Sequence, residues 1–524
     1  MSDPFFTRPE HRKRKARSAT SKREKENQKL ERNGPANEDL ASISSESEFN
    51  GFEDEIDEEN EDTYETAAEK RLRLAREYLD EVKNELVEDG GFDAKEVDRE
   101  LLASRLKEDV LEKKGQMYLD YTSKINPDVK IETAQLRGRH MRPLVGVVAY
   151  ENFVYSADKS GLIQKWEALQ EKDTENREND DHEIGKAIKL HFRPIKFSRS
   201  RRGENDHVKE ITCLAISNDG RWIVTGGLDH RIVIRDSVTL EPQHCWKHHR
   251  DAVMGLAMRR GTNEMFSCSA DRSIKVWSLD QMSYIETLFG HQDVIFGVDA
   301  LARERCVSVG GRDRTSRLWK IVEESQLVFR SGGTSMKATA GYMEGSVDCV
   351  AMIDEDHFVT GSDNGVIALW SVQRKKPLFT YPLAHGLDPI LAPGRHSAET
   401  SPDPVTIPPQ PRWITSLAAI PYSNLFASGS WDGNIRLWKI AEGLRSFEPL
   451  TIATPLSVYG CINSLSLSLQ GKGKQSEVRV FAACGRETRV GRWKTLRGIP
   501  NSGFVFNIPL TVIPSVTDGD EIDE

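Results

Sequence analysis

The chain has 524 residues and a formal net charge of −10, from 82 acidic and 72 basic side chains. That charge is concentrated: residues 38–62 hold twelve Asp or Glu and no Lys or Arg, and the closing DGDEIDE holds five more, so the remaining 65 acidic groups are outnumbered by the 72 basic ones, a balance that suits contact with phosphate. There is no run of about 18 apolar residues and no apolar core near the N-terminus, which argues against a spanning helix or signal peptide; seven cysteines without any C-x-x-C spacing predict small core thiols of a cytosolic or nuclear chain rather than disulfides or a metal site.

Taken in order, residues 1–63 read as a disordered tail, basic and then acidic. Arg12, Lys13, Arg14, Lys15 and Arg17 have the density of a nuclear or nucleolar address, and Ser44, Ser45 and Ser47 among glutamates fit an acidophilic kinase. Residues 64–126 predict paired amphipathic helices. Thr66 to Glu69 is a capping box that opens an apolar stripe at Ala68, Leu72, Ala75, Leu79, Val82 and Leu86; a second cap at Asp93 opens another with Val97, Leu101, Leu106 and Val110. Both stripes need a surface to cover, on this chain or on another protein.

From His249 the chain repeats itself. His249 through Trp277 is followed in near register by His291 through Trp319, the two tryptophans 42 positions apart. Each copy has a His, an apolar alternation, small residues, an Asp-Arg turn and an alternating run ending in Trp. That period and pattern predict one four-stranded blade per copy, hence an all-β propeller of the WD40 type. The same template fits Ser156 to Trp166, Gly226 to Asp236 with Asp236 in the place of Trp, Gly361 to Trp370, Gly429 to Trp438, and, in degenerate form with Glu487 for Asp, Ala483 to Trp493. Seven blades are expected within residues 127–510. Asp158, Asp229, Asp271, Asp313, Asp363 and Asp432, with His249 and His291, are read as structural, because a buried carboxylate is tolerable only when hydrogen-bonded. Ring closure requires one strand borrowed across the ends; a strand near 129–136 outside blade seven is the first choice and Phe504 to Leu510 the competitor.

Two insertions interrupt the repeats. Residues 167–206 form a long connection whose second half interleaves Lys186, Lys189, Arg193, Lys196, Arg199, Arg201 and Arg202 with Phe192 and Phe197, a composition suited to phosphates and unpaired bases, or to a solvated loop. Residues 371–412 are proline-rich and read as extended, a tether or a partner's ligand rather than core. Residues 511–524 are an acidic tail. The loops before each first strand and the inner hairpins share one face, which in blades two to four collects Lys247, His248, Arg250, Arg272, Arg312 and Arg314, with His230 and Arg231; blades five to seven offer Asn364, Trp431, Asp432 and Glu487 there. Arg259 and Arg260 form a basic turn on the other face.

Glu69 to Ala75, Arg105 to Glu112, Arg250 to Lys320, Glu323 to Phe329, Ala384 to Leu387, Leu437-Trp438 and Gly491 to Trp493 closely resemble the WD-repeat protein specific to the U3 box C/D small nucleolar ribonucleoprotein. The resemblance covers about residues 64–510. It implies a nucleolar, non-catalytic scaffold of the small-subunit processome. Such a scaffold binds U3 RNA at the paired box B and C elements beside a small kink-turn-binding protein and the box C/D core proteins, and supports early pre-rRNA cleavage. No cofactor, metal, membrane or small-molecule substrate is expected. Two other classes compete: a protein-interaction propeller, such as a ubiquitin-ligase receptor or histone-binding subunit, and a channel enzyme, against which the repeated Asp and His are better explained by the fold.

Overall fold

The computed structural model describes residues 119–511 apart from 130, 139, 141, 170–190, 201–202, 204, 332–340, 344, 390–408, 442, 472–475, 492–493 and 497. The basic cluster Arg12 to Arg17, the serines at 44, 45 and 47, the two helices expected before residue 119, Lys186, Lys189, Arg201, Arg202, Trp493 and the acidic tail beyond Thr511 lie outside those residues.

Every regular element among the described residues is a strand, and the strands make seven antiparallel sheets. After β1 (Glu132–Leu136), blade one is β2 (Leu144–Tyr150), β3 (Phe153–Asp158), β4 (Leu162–Leu169) and β5 (His191–Arg199). Blade two is β6 (Ile211–Ile216), β7 (Trp222–Gly227), β8 (Ile232–Asp236) and β9 (Pro242–Trp246); blade three is β10 (Val253–Met258), β11 (Glu264–Ser269), β12 (Ser273–Ser278) and β13 (Ser283–Phe289). Blade four is β14 (Ile295–Ala300), β15 (Arg305–Gly310), β16 (Thr315–Lys320) and β17 (Ser325–Arg330); blade five is β18 (Val347–Met352), β19 (His357–Ser362), β20 (Ile367–Ser371) and β21 (Phe379–Tyr381). Blade six is β22 (Ser416–Ala419), β23 (Leu425–Gly429) and β24 (Asn434–Ile440), with the short β25 (Phe447–Pro449) and β26 (Leu456–Ser457) both on the outer side of β24. Blade seven is β27 (Cys461–Gln470), β28 (Glu477–Gly485) and β29 (Ser502–Pro509), completed by β1.

The ring therefore uses both terminal strands. β1 is the outermost strand of blade seven and pairs with β29, Glu132 opposite Asn507 and Leu136 opposite Gly503. The two candidates for closure are neighbours, not rivals. The hydrophobic core is divided in the same way: each buried cluster joins side chains of two adjacent blades, for example Phe266 and Ile274 of blade three with Ile295 and Cys306 of blade four. Leu136, Trp166 and Phe481 close the circuit from blade seven to blade one. Inner strands are sandwiched between neighbours and so read as near-continuous apolar or small residues, as in β11 (EMFSCS), whereas no residue of the outer β13 is fully buried. All seven cysteines are unpaired, and six are buried. Leu119 pairs in parallel with Ser423, and Ile125 packs into the blade six to seven cluster, so residues 119–125 lie against blade six.

Several expectations are corrected. The second half of the 167–206 stretch is not a loop: His191–Arg199 is the outer strand of blade one, paired along β4. Its basic side chains sit at exposed edge positions, and only Phe192 is buried. In blade seven the third strand is Ser502–Pro509 rather than a segment ending at Trp493, which lies outside the described residues. Part of the proline-rich stretch is built into the ring, because Phe379–Tyr381 is the outer strand of blade five and His385 is fully buried.

Candidate nucleic-acid interface

Each inner hairpin is held by a polar network. In blade three Trp277 Nε1–H donates to Ser267 Oγ (2.8 Å), the Ser267 hydroxyl donates to His249 Nε2 (2.8 Å), and His249 Nδ1–H donates to Asp271 Oδ2 (2.9 Å). Asp271 Oδ1 accepts from the amide and hydroxyl of Ser273 and fixes the turn (2.9 and 2.6 Å). Burial pushes the Asp271 carboxyl pKa up, but the bonds from His249, Ser273 and the Arg250 amide outweigh it and hold it below the usual range. Burial likewise holds the imidazoles of His249 and His291 below their ordinary value despite their aspartates. Neutral imidazole with Nδ1 protonated satisfies every partner. Blade four repeats the network with His291, Asp313, Ser308 and Trp319.

Three further histidines belong to these networks. His140 serves Ser156 in blade one, His207 serves Thr225 and Asp229 in blade two, and His385 serves Ser428 and Asp432 in blade six, from across the proline-rich stretch. A His 16 to 18 residues before the strand hydroxyl is the signal for the first two. Blade one takes its carboxylate from the strand end, with Asp158 accepting from Ser160 and Leu162. In blade two the place of Trp belongs to Arg235, not Asp236: Arg235 faces Ile223 as Trp277 faces Met265. Its buried guanidinium pairs with Asp206 and donates to Leu240 O (3.3 Å). In blade five the turn is held by Asn364, whose Oδ1 accepts from Val366 N (3.1 Å), and not by Asp363, which accepts instead from the Gly345 amide (2.9 Å).

The hairpin tips separate the ring into two halves. One residue at the tip of each of six hairpins takes a left-handed backbone. It is Gly161, Gly365 and Gly433 in blades one, five and six (φ 86°, 74° and 76°), but His230, Arg272 and Arg314 in blades two, three and four (φ 64°, 67° and 50°). A non-glycine residue there costs about 1 kcal/mol, so three consecutive blades carry strain that keeps an imidazole or guanidinium at the tip. Lys247, His248 and Arg250 are exposed in the loop before β10, whose Arg250 amide is tied to Asp271 (3.0 Å). Arg272 and Arg312 are exposed, and the Arg312 amide donates to Asp293 (2.9 Å). Arg231 plays a different part, its guanidinium holding the carbonyls of Gly203 and Asp206 (3.0 and 2.7 Å).

In blades five to seven two cations near the tips, Lys494 and Arg412, are paired internally. Asp388 pairs with Lys494 and Arg412 and accepts from Trp431 Nε1 (3.0 Å), and Lys494 lies 4.2 Å from the Trp431 ring centroid. Asn364, Trp431 and Asp432 are not displayed on the surface as expected; all three are buried or nearly so. Glu487 lies 4.0 Å from Lys159. On the opposite face Arg259 is likewise used, by Glu264 and Glu304 (2.7 and 3.2 Å). The inner strands surround a central cavity of about 310 Å³, into which Arg489 reaches to bond Phe296 O (3.1 Å). Of the β5 cations, Arg199 lies opposite Leu162 at the hairpin end, Lys196 is exposed mid-strand, and Arg193 pairs with Glu167 (3.3 Å).

The family described as WD domain, G-beta repeat matches residues 200–236, 240–278 and 404–439. Ribosomal RNA-processing protein 9 of Saccharomyces cerevisiae is 32% identical over 85% of this chain and 90% of its own length. U3 small nucleolar RNA-interacting protein 2 of Mus musculus is 36% identical over 86% of this chain and 83% of its own. The solved structure of U3-55K is 34% identical, with a TM-score of 0.58, covering 74% of this chain and 100% of that one. With a closed WD40 ring and identity of this order along most of its length, the chain belongs to the family of WD-repeat proteins associated with the U3 small nucleolar ribonucleoprotein.

Proposed function

We propose that this protein is a non-catalytic scaffold of the U3 small nucleolar ribonucleoprotein that holds U3 RNA on the cationic half of its ring and supports pre-rRNA processing for the small ribosomal subunit. The observation that carries the reading is the pair of arginines, Arg272 and Arg314, held in left-handed backbone at the tips of blades three and four, where blades five and six have glycine and nearby Lys494 and Arg412 are paired with Asp388. Relatives named for ribosomal RNA processing and for interaction with U3 RNA support it, and leave a ubiquitin-ligase receptor or histone-binding propeller unfavoured. The ligand is the paired box B and C region, shared with a small kink-turn-binding protein, the box C/D core proteins and other processome proteins in the nucleolus. Phosphates would be held by Lys247, His248, Arg250, Arg272, Arg312 and Arg314. Arg193, Lys196 and Arg199 of β5 are further phosphate partners, as are Lys186, Lys189, Arg201 and Arg202 outside the described residues, and Arg12 to Arg17 carry the chain into the nucleus.

Ultraviolet crosslinking of the tagged protein in cells, with sequencing of the attached RNA and mapping of crosslinked peptides, tests this directly. U3 RNA attached to peptides of blades two to four is the expected result. U3 RNA recovered only through co-purifying proteins would make the chain a protein adaptor within the particle.

A further inference from the structure

We infer that the rim of blade three carries a stacking shelf for an unpaired RNA base, formed by His248 and Tyr284 where the cationic half-face meets the outer strand; this rests on the RNA-binding reading above. The foundation is Trp277, fully buried and stacked on Trp246 (4.2 Å between centroids, 15°). His248 and Tyr284 lie parallel to one another (5.7 Å, 10°), and each stands nearly perpendicular to Trp277 (78° and 75°). Their orientation is thus set from beneath. The Tyr284 hydroxyl is bonded to Thr287 Oγ1 (2.7 Å), to which Lys275 Nζ also donates (2.7 Å) from 5.1 Å off the Tyr284 ring centroid. An oriented aromatic pair beside Lys275, with Lys247 next to His248 in the chain, offers a π-face and phosphate partners within one small surface.

The repeat does not require this arrangement. The outer-strand residue facing the blade's Trp is Tyr284 in blade three but Gln326, Pro194 and Pro449 in blades four, one and six. The residue before the network histidine is His248 here but Gly290, Asp206 and Ala384 in blades four, two and six. Tyr284 remains 40% exposed, and Phe289, further along the same face of β13, is 73% exposed. A side chain needed only to cover Trp277 would bury its ring. Flat, anionic and single-stranded is the ligand chemistry that matches, since a duplex keeps its base faces covered.

The test uses the full chain with a short single-stranded oligoadenylate and a blunt RNA duplex of equal length, followed by fluorescence anisotropy across a salt series. Tyr284→Leu weakens oligoadenylate binding by about five- to 100-fold, leaves the slope of log affinity against log salt unchanged, and spares the duplex; His248→Ala weakens oligoadenylate binding as well, and Tyr284→Phe binds as the parent does. Joint Arg272→Gln and Arg314→Gln instead lowers the slope by about 0.7 per lost contact. If the Arg pair weakens binding while Tyr284→Leu and His248→Ala do not, the shelf is wrong and the cationic face stands. If none of them matters, the face and the shelf fall together. An equal loss on duplex, or a loss seen with oligoglutamate in place of oligoadenylate, also overturns the shelf, the latter in favour of an acidic peptide.

Discussion

Blades two to four and blades five to seven are built on one template but use their hairpins differently. In blades three and four a buried His–Asp pair anchors the turn and a cation in left-handed backbone stands at its tip; in blades five and six the tip is glycine, and nearby Lys494 and Arg412 are tied to Asp388. The glycines of the second half also have a steric reason. A Cβ on Gly433 would lie 2.6 Å from the Val458 carbonyl oxygen, and one on Gly365 2.8 Å from that of Arg412. Holding a hairpin and touching a ligand are therefore separable duties, carried by adjacent residues.

The largest expected effect concerns holding. Asp271→Ala leaves buried His249 without its acceptor and should cost about 2–3 kcal/mol in urea unfolding, whereas Asp363→Ala should stay within about 0.5 kcal/mol. Equal losses would erase the distinction between the two turns. Next comes touching: Arg312→Ala with Arg314→Ala should weaken binding of a U3 transcript on the order of tenfold and flatten its salt dependence by up to about two. Lys494→Ala should change neither quantity, and a matching loss there would show that charge anywhere on the ring suffices.

A smaller effect has opposite signs in two assays. Arg272→Gly and Arg314→Gly should each stabilise the fold by about 1 kcal/mol through relief of the left-handed strain while lowering RNA affinity. Gly433→Ala should destabilise without altering RNA binding. If the arginine variants are less stable than the parent, the tips are not strained and the argument for their use weakens.

The mildest effect is on pH. Because burial depresses the folded pKa of His249 and His291, the unfolded chain binds the extra proton. Their contribution to stability is present at neutral pH and declines as pH falls below about 6.5. Asp271 and Asp313, also depressed when folded, lose theirs only as pH drops below about 3.9 toward their folded values. Urea midpoints measured from pH 8 to pH 3 should show the first decline, and His291→Gln should shrink it.

The ring and most of its turns were legible because a repeat displays one set of constraints many times. What stayed hidden involves partners that periodicity does not connect. Arg235 can stand for Trp only because Asp206, 29 residues earlier, neutralises it inside the protein. His385 reaches Ser428 across a 43-residue separation, so no fixed offset announces it. β5 reads as a loop because an outer strand buries little: of HFRPIKFSR only Phe192 is buried, so no apolar alternation marks it. The candidate cations were visible as composition; that Lys494 is instead tied to Asp388 depends on a partner 106 residues away.

The closure of the ring by β1 also sets a timetable for synthesis. Glu132 pairs with Asn507, so the first strand of the propeller leaves the ribosome long before its partner exists. At about 5–20 residues per second it waits roughly 20–75 s, with its edge unpaired while blades one to six assemble beside it. Nascent chains of this protein should therefore engage strand-shielding chaperones until the last blade emerges.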